Sequence, residues 1–152
     1  MRRVSIKKFV NKMISIKDKP NRIIKGFAMG SFVGMLPFPG FQMLIALFFA
    51  SIFKLNKKAS CIAVFNTNVF TGLFIFAFNY WLGKIILGVD PDFVFPDRLG
   101  FDFVVNIMEA GSDVFFSLLV GGVITGIGAY IFSFYLIRYI FTLKTKSSYH
   151  EE

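Results

Sequence analysis

Three long stretches of the chain contain no charged residue. They run from Gly26 to Phe53, from Ala59 to Gly83 and from Val114 to Ile137, and hold 28, 25 and 24 residues. Each exceeds the roughly 18–20 residues that mark a candidate transmembrane helix. The composition agrees, because 55% of the residues are hydrophobic and the mean hydropathy is +0.65. The sequence therefore predicts an all-α integral membrane protein with one domain.

The charges outside these stretches indicate which class of partner to expect. The net charge of +8 would suit a nucleic-acid-binding protein. Here the cations flank apolar stretches, so we expect membrane lipids as partners, with anionic headgroups at the cytoplasmic leaflet, and no nucleic acid. One Cys and one His provide no disulfide framework and no metal site. The sequence shows no Ser/His/Asp set and no phosphate-binding glycine loop, so we expect neither an enzyme nor a cofactor.

The first stretch is interrupted by Pro37-Phe38-Pro39-Gly40. Proline removes a backbone donor and clashes with the preceding helical turn, while glycine permits a reversal. The halves, 26–36 and 41–53, are too short to cross a hydrocarbon core of about 30 Å as separate helices. The stretch is therefore either one kinked span or a re-entrant hairpin that enters and leaves on the same side.

Charge counting favours the hairpin. Lys and Arg concentrate at the cytoplasmic ends of membrane helices. With a hairpin, fifteen of the 17 cations are cytoplasmic and two are external, whereas a single span gives eleven and six. The predicted order is a basic amphipathic cytoplasmic helix in 1–25, followed by a membrane domain in 26–140 and a cytoplasmic tail in 141–152. Within the membrane domain we predict a re-entrant hairpin (26–53), a transmembrane helix (59–87), an external acidic connection (88–113) and a second transmembrane helix (114–137).

The broken turn is the predicted ligand-binding site. In a hairpin, the backbone N–H groups at Phe41 and Gln42 begin a half-helix near the bilayer midplane and need partners. The amides of the second stretch are the expected partners, and together these groups would hold an anionic headgroup. The alternative is that the amides only satisfy the broken backbone and join helices. The predicted site comprises Pro37, Pro39, Gly40, Phe41, Gln42, Asn66, Asn68 and Asn79.

Small residues recur at intervals of four and predict close helix contacts. The positions are Gly26, Gly30 and Gly34 in the first half-helix, Ala46 and Ala50 in the second, and Gly122 with Gly126 in the last span. Internal packing is the favoured interpretation, and self-association into a homo-oligomer is the alternative.

One set of motifs resembles a known bacterial family. The run from Gly34 to Gln42 contains the Pro-x-Pro-Gly turn, and Asn56, Asn68 with Thr71, and Tyr80-Trp81-Leu82-Gly83 follow it. Over residues 20–140 this pattern resembles the uncharacterised membrane family named domain of unknown function 2062. Members usually have Asn-Pro where this chain has Asn68-Val69. The resemblance implies an inner-membrane location and no established activity.

The functional prediction is a small bacterial inner-membrane protein, multi-pass, with both termini cytoplasmic. It would bind or move an anionic lipid or amphiphile in the manner of transporters with broken helices. Two alternatives remain: an accessory protein that docks a peripheral partner, and a small oligomeric channel.

Overall fold

The computed structural model describes residues 16, 18–65, 69–89, 105 and 111–148. Within them the chain is entirely helical and contains no strand, which confirms the predicted all-α class. The predicted amphipathic helix before residue 16, Asn66, Asn68 and most of the connection 88–113 lie outside the described residues. The helices are α1 (Pro20–Gly34), α2 (Gln42–Ile52), α3 (Lys57–Val64), α4 (Val69–Leu87) and α5 (Ser112–Ser148).

The first two helices form a hairpin. α1 begins at Pro20, whose fixed φ suits the first turn of a helix, so it starts ahead of the predicted boundary at residue 26. After the turn, α2 runs back along α1, and the backbone N–H of Asn56 donates to the Arg22 carbonyl at 3.1 Å. A single kinked span would separate these two residues by the length of both helices. The chain therefore reverses at the turn and returns to its starting end.

α3 then runs beside α1 in the same direction. Gly26 faces the backbone of Asn56, and Gly30 faces the backbone of Ser60 one turn further along both helices. A Cβ at Gly26 would overlap the carbonyl oxygen of Asn56, the N-cap of α3, and a Cβ at Gly30 would overlap that of Ser60. The two helix backbones are in direct contact because these residues lack side chains.

α5 packs antiparallel to both α1 and α4. Near its C-terminal part, Ile137 lies in one apolar cluster with Ile23 and Phe27 of α1. Further back along α5, Gly122 lies against the Met35 carbonyl just after α1 ends. The rise from Gly122 to Ile137 is about 22 Å, within a helix of about 55 Å. The turn between α1 and α2 therefore lies partway along α5.

α4 packs on the remaining part of α5. Gly83 meets the Ser117 carbonyl and Gly121 meets the Asn79 carbonyl, again with no room for a Cβ. The stretch 59–87, predicted as one helix, is instead divided between α3 and α4. α3 ends at Val64 with Phe65 as its C-cap, although no proline follows.

One described helix, over Ser112–Leu143, is long and apolar enough to cross a membrane. Gln42–Ile52 and Thr71–Leu87 are apolar but shorter. The predicted last span 114–137 falls inside α5, and the helix continues beyond it to Ser148.

Candidate functional site

The turn between α1 and α2 is built by its prolines and glycine. Pro37 and Pro39 supply no N–H, and Pro37 is fully buried. Gly40 adopts a φ of +88°, the left-handed conformation that glycine reaches without steric cost. The remaining backbone bonds are short-range, with Phe38 N donating to Leu36 O at 2.8 Å and Phe41 N to Phe38 O at 3.1 Å. This sequence therefore reverses the chain within a few residues.

The reversal frees carbonyl groups at the end of α1, and side-chain amides bind them. Gln42 Nε2 donates to Leu36 O at 2.9 Å and lies 3.2 Å from Gly34 O. Asn79 Nδ2, from α4, donates to Met35 O at 2.9 Å. A buried carbonyl without a donor would cost roughly 1–3 kcal/mol. Asn79 supplies the donor at Met35 O, and Gln42 adds a second donor at Leu36 O, which also accepts from Phe38 N. We refer to this group, with Thr125, as the amide cap.

Thr125 extends the amide cap to α5. Its Oγ1 donates to Asn79 Oδ1 at 2.7 Å and also lies 2.9 Å from Gly121 O in its own helix. Asn79 is completely buried and uses both ends of its amide. The end of α1, the middle of α4 and the glycine face of α5 are thus held in one register.

These hydrogen bonds involve residues that the sequence predicted as ligands of a headgroup. Among the described members of that set, Gln42 and Asn79 direct their N–H groups at the chain's own carbonyls. Phe41 is 46% exposed at the start of α2. This is the arrangement that the alternative interpretation predicts, in which amides satisfy the broken backbone. Asn66 and Asn68 lie outside the described residues.

The predicted small-residue positions belong to different contacts. Gly26 and Gly30 meet α3, whereas Gly122 and Gly126 meet Met35 and Phe32 near the end of α1. Ala46 and Ala50 are completely buried and are the two buried side chains of α2. Gly34 is buried and accepts from Gln42.

A second polar group closes the opposite end of the hairpin, and sequence reasoning missed it. Asn56 caps α3 by accepting from Ala59 N at 2.9 Å, and its Nδ2 donates to Asp18 Oδ2 at 2.8 Å. Asp18 pairs with Arg22 at 3.2 Å, and Arg22 Nε donates to Lys54 O at 2.7 Å. We call Asp18, Arg22, Lys54 and Asn56 the ionic clasp. The signal available in the sequence was Asn56 placed just before a helical run, a common N-cap position.

The clasp lowers the pKa of Asp18. The hydrogen bond from Asn56 has the largest effect, followed by the backbone N–H of Lys19, and the charge of Arg22 adds to both. These partners all favour the ionised carboxylate. Asp18 thus remains an anion among many cations.

The clasp end of the molecule is strongly basic. α1, the loop after α2, the start of α3 and the Ile137 region of α5 meet there. Among the residues whose side chains the structure describes, seven cations and the single acid Asp18 lie at this end. The cations are Lys19, Arg22, Lys25, Lys54, Lys57, Lys58 and Arg138. At the other end the described charges are Lys84 and Asp113. We call the end with the ionic clasp the basic end.

A cavity of about 320 Å³ runs between α1 and α5 toward the basic end. Ser31 and Ser133 face each other across the helix contact, with Oγ atoms 2.9 Å apart. The other lining side chains are apolar, including Phe27, Ala129 and Ile140. In the part of the chain that the structure describes, no cluster of His, Cys, Asp and Glu suits a metal ion.

The comparisons with known proteins give a family. A family model described as "Uncharacterized protein conserved in bacteria (DUF2062)" matches residues 3–150, and this confirms the resemblance seen in the motifs. No curated protein and no solved structure matches the chain.

Proposed function

Because the chain belongs to the uncharacterised bacterial family DUF2062, whose description names no activity, we propose a function from the geometry. The protein is a non-enzymatic, multi-pass protein of the bacterial inner membrane that binds an anionic lipid or amphiphile and moves it between leaflets. The α1–α2 hairpin is re-entrant and opens toward the cytoplasm.

The observation that carries this proposal is the burial pattern of α2. Its buried side chains are two alanines, while Leu44 is 63% exposed and Phe48 is 61% exposed. A helix of a water-soluble protein buries its large apolar side chains and exposes polar ones. α5 repeats the inversion, because Phe132 is 68% exposed and Tyr135 is 64% exposed. Hydrocarbon is the surrounding that suits such a surface without cost.

The basic end supports the orientation. Cations collect on the cytoplasmic side of membrane proteins. The hairpin returns Lys54, Lys57 and Lys58 to the end where α1 begins, so the cations before and after the hairpin share one side. The same cations attract anionic headgroups, each contributing about 1 kcal/mol near a charged surface.

The amide cap supports a broken helix at membrane depth. Irregular backbone is tolerated there when protein groups satisfy it. Gln42 and Asn79 do so with neutral donors, which avoids the cost of a buried charge. In many transporters such broken helices form the substrate site near the bilayer midplane.

Reconstitution tests the proposal. We would place the purified protein in phosphatidylcholine vesicles that carry tail-labelled fluorescent phosphatidylglycerol, and measure movement of the label between leaflets by quenching with dithionite. We expect faster exchange than in protein-free vesicles, and a smaller effect with labelled phosphatidylcholine. Gln42→Ala should slow the exchange because it removes the amide that joins the start of α2 to Gly34 O and Leu36 O, whereas the exposed neighbour Met43→Ala should not. Exchange at the protein-free rate would contradict the proposal.

A further inference from the structure

The cavity between α1 and α5 has the shape of a narrow groove. It extends along α5 from Ala129 to Ile140, and along α1 from Phe27 to Met35 just past the end of that helix. Ala63 of α3 and Ile75 of α4 contribute to the same wall. The groove thus lies where four helices meet.

Its dimensions fit one hydrocarbon chain. The rise from Ala129 to Ile140 is about 16 Å, and the volume of the groove is about 320 Å³. An α-helix of that length with its side chains is about 10–12 Å wide and occupies more than roughly 1,000 Å³. The groove is therefore too small for a helix from a second copy, whereas an unbranched alkyl chain is narrow enough.

The chemistry of the walls agrees with the shape. Among the described residues that line the groove, Ser31 and Ser133 are the polar ones, and they hydrogen-bond to each other. At the rim, Phe132 is 68% exposed and Leu136 is 42% exposed, so the groove opens sideways on the apolar surface of α5. A chain that enters from surrounding hydrocarbon at this rim meets apolar side chains.

The groove leads toward the basic end. Its last lining residues include Ile137, which packs on Ile23 and Ile24, and these two flank the start of α1 with its exposed Arg22 and Lys25. We infer that the groove holds one acyl tail of an anionic phospholipid from the cytoplasmic leaflet, with the headgroup among the cations of the basic end. This inference rests on the proposed function and assigns its lipid to the groove, which adjoins the amide cap at Met35.

Native mass spectrometry of the full chain in mild detergent tests this site. The probes are palmitoyl-oleoyl-phosphatidylglycerol and phosphatidylcholine with the same tails. We expect the wild type to retain one phosphatidylglycerol per chain. Ala129→Phe should reduce retention about tenfold or more, because the added ring removes the space in which the tail buries its apolar surface. The matched control Ile127→Phe, on the exposed surface of the same helix, should retain the lipid as the wild type does.

Three outcomes would overturn the inference: equal retention by Ala129→Phe and the wild type, equal retention of both phospholipids, or a wild-type dimer that Ala129→Phe dissociates, which would place a second copy in the groove. Should Ala129→Phe fail to fold, phosphatidylglycerol with a photoreactive tail is cross-linked to the wild type. Labels then fall on 27–35 and 129–140 if the inference holds, and on the exposed Phe74 and Trp81 at equal yield if it fails.

The proposed function can survive the failure of this inference. Leaflet exchange that persists in Ala129→Phe, with lipid retention unchanged, would exclude the groove site and leave the proposed function standing.

Discussion

The two ends of the α1–α2 hairpin are closed by different chemistry. At the turn, the amide cap uses neutral donors on backbone carbonyls, and Asn79 at its centre is completely buried. At the open end, the ionic clasp uses an ion pair between Asp18 and Arg22, with 16% and 47% of their side chains exposed. A charge buried at the turn would carry a large desolvation cost, whereas at a wet surface that cost is small. The comparison agrees with the proposed placement of the turn in hydrocarbon and of the clasp in water.

The contact between α1 and α3, which lies between the turn and the open end, gives the largest expected effect on stability. Gly30→Leu should destabilise the fold by about 3 kcal/mol or more, because even a Cβ there overlaps the Ser60 carbonyl and approaches Ala63. The control is Gly128→Leu, because Gly128 is also a helical glycine and no atom lies within 4 Å of a Cβ added there. Thermal unfolding in detergent measures both. Equal midpoints for the two variants would show that α1 and α3 are not in contact.

At the amide cap, Asn79→Ala should cost about 2 kcal/mol. It removes the donor to Met35 O and the acceptor of Thr125 Oγ1 inside the bundle. Thr125→Val should cost less, since it leaves the bond to Met35 O intact. Unfolding midpoints in detergent give the order, and a larger loss for Thr125→Val than for Asn79→Ala would contradict the role assigned to Asn79.

At the ionic clasp, Asn56→Ala should cost about 1 kcal/mol, the usual value for a helix N-cap. Asn56→Asp keeps the capping oxygen but places a second carboxylate beside Asp18. Its stability should therefore lie between those of Asn56→Ala and the wild type. Protease sensitivity of the loop 53–56 provides a local readout. Unchanged cleavage in Asn56→Ala would mean that the clasp does not hold this loop.

The smallest effect is the pH dependence of the clasp. Because the pKa of Asp18 is lowered in the folded chain, its ionised form stabilises the fold above the ordinary value of about 4. That stability is lost as the pH falls through the lower folded-state pKa. Between pH 6 and pH 3, the melting temperature of the wild type should therefore fall further than that of Asp18→Asn. Parallel profiles for the two proteins would exclude a contribution from this carboxylate.

Local chemistry made part of this architecture predictable. Proline and glycine act on their own backbone, so Pro37, Pro39 and Gly40 predicted the reversal from a few letters. The position of the cations then favoured a return of the chain to its starting end. Both inferences needed no knowledge of long-range contacts.

The remaining features depend on residues far apart in the chain. Asn79 meets Met35 across 44 positions and Thr125 across 46, and Asn56 meets Asp18 across 38. No spacing rule predicts such pairs before the helices are packed. The division between α3 and α4 was missed because residues 59–83 contain neither a charge nor a proline to interrupt the pattern.

The return of the chain to one side of a membrane is the central claim, and cysteine labelling tests it most directly. In a Cys61→Ser background, single cysteines replace the exposed Lys19, Lys58 and Ser112. Right-side-out membrane vesicles are then treated with an impermeant maleimide before and after permeabilisation. The account predicts that positions 19 and 58 react only after permeabilisation and that position 112 reacts before it. Labelling of position 58 in sealed vesicles, with position 19 protected, would contradict it.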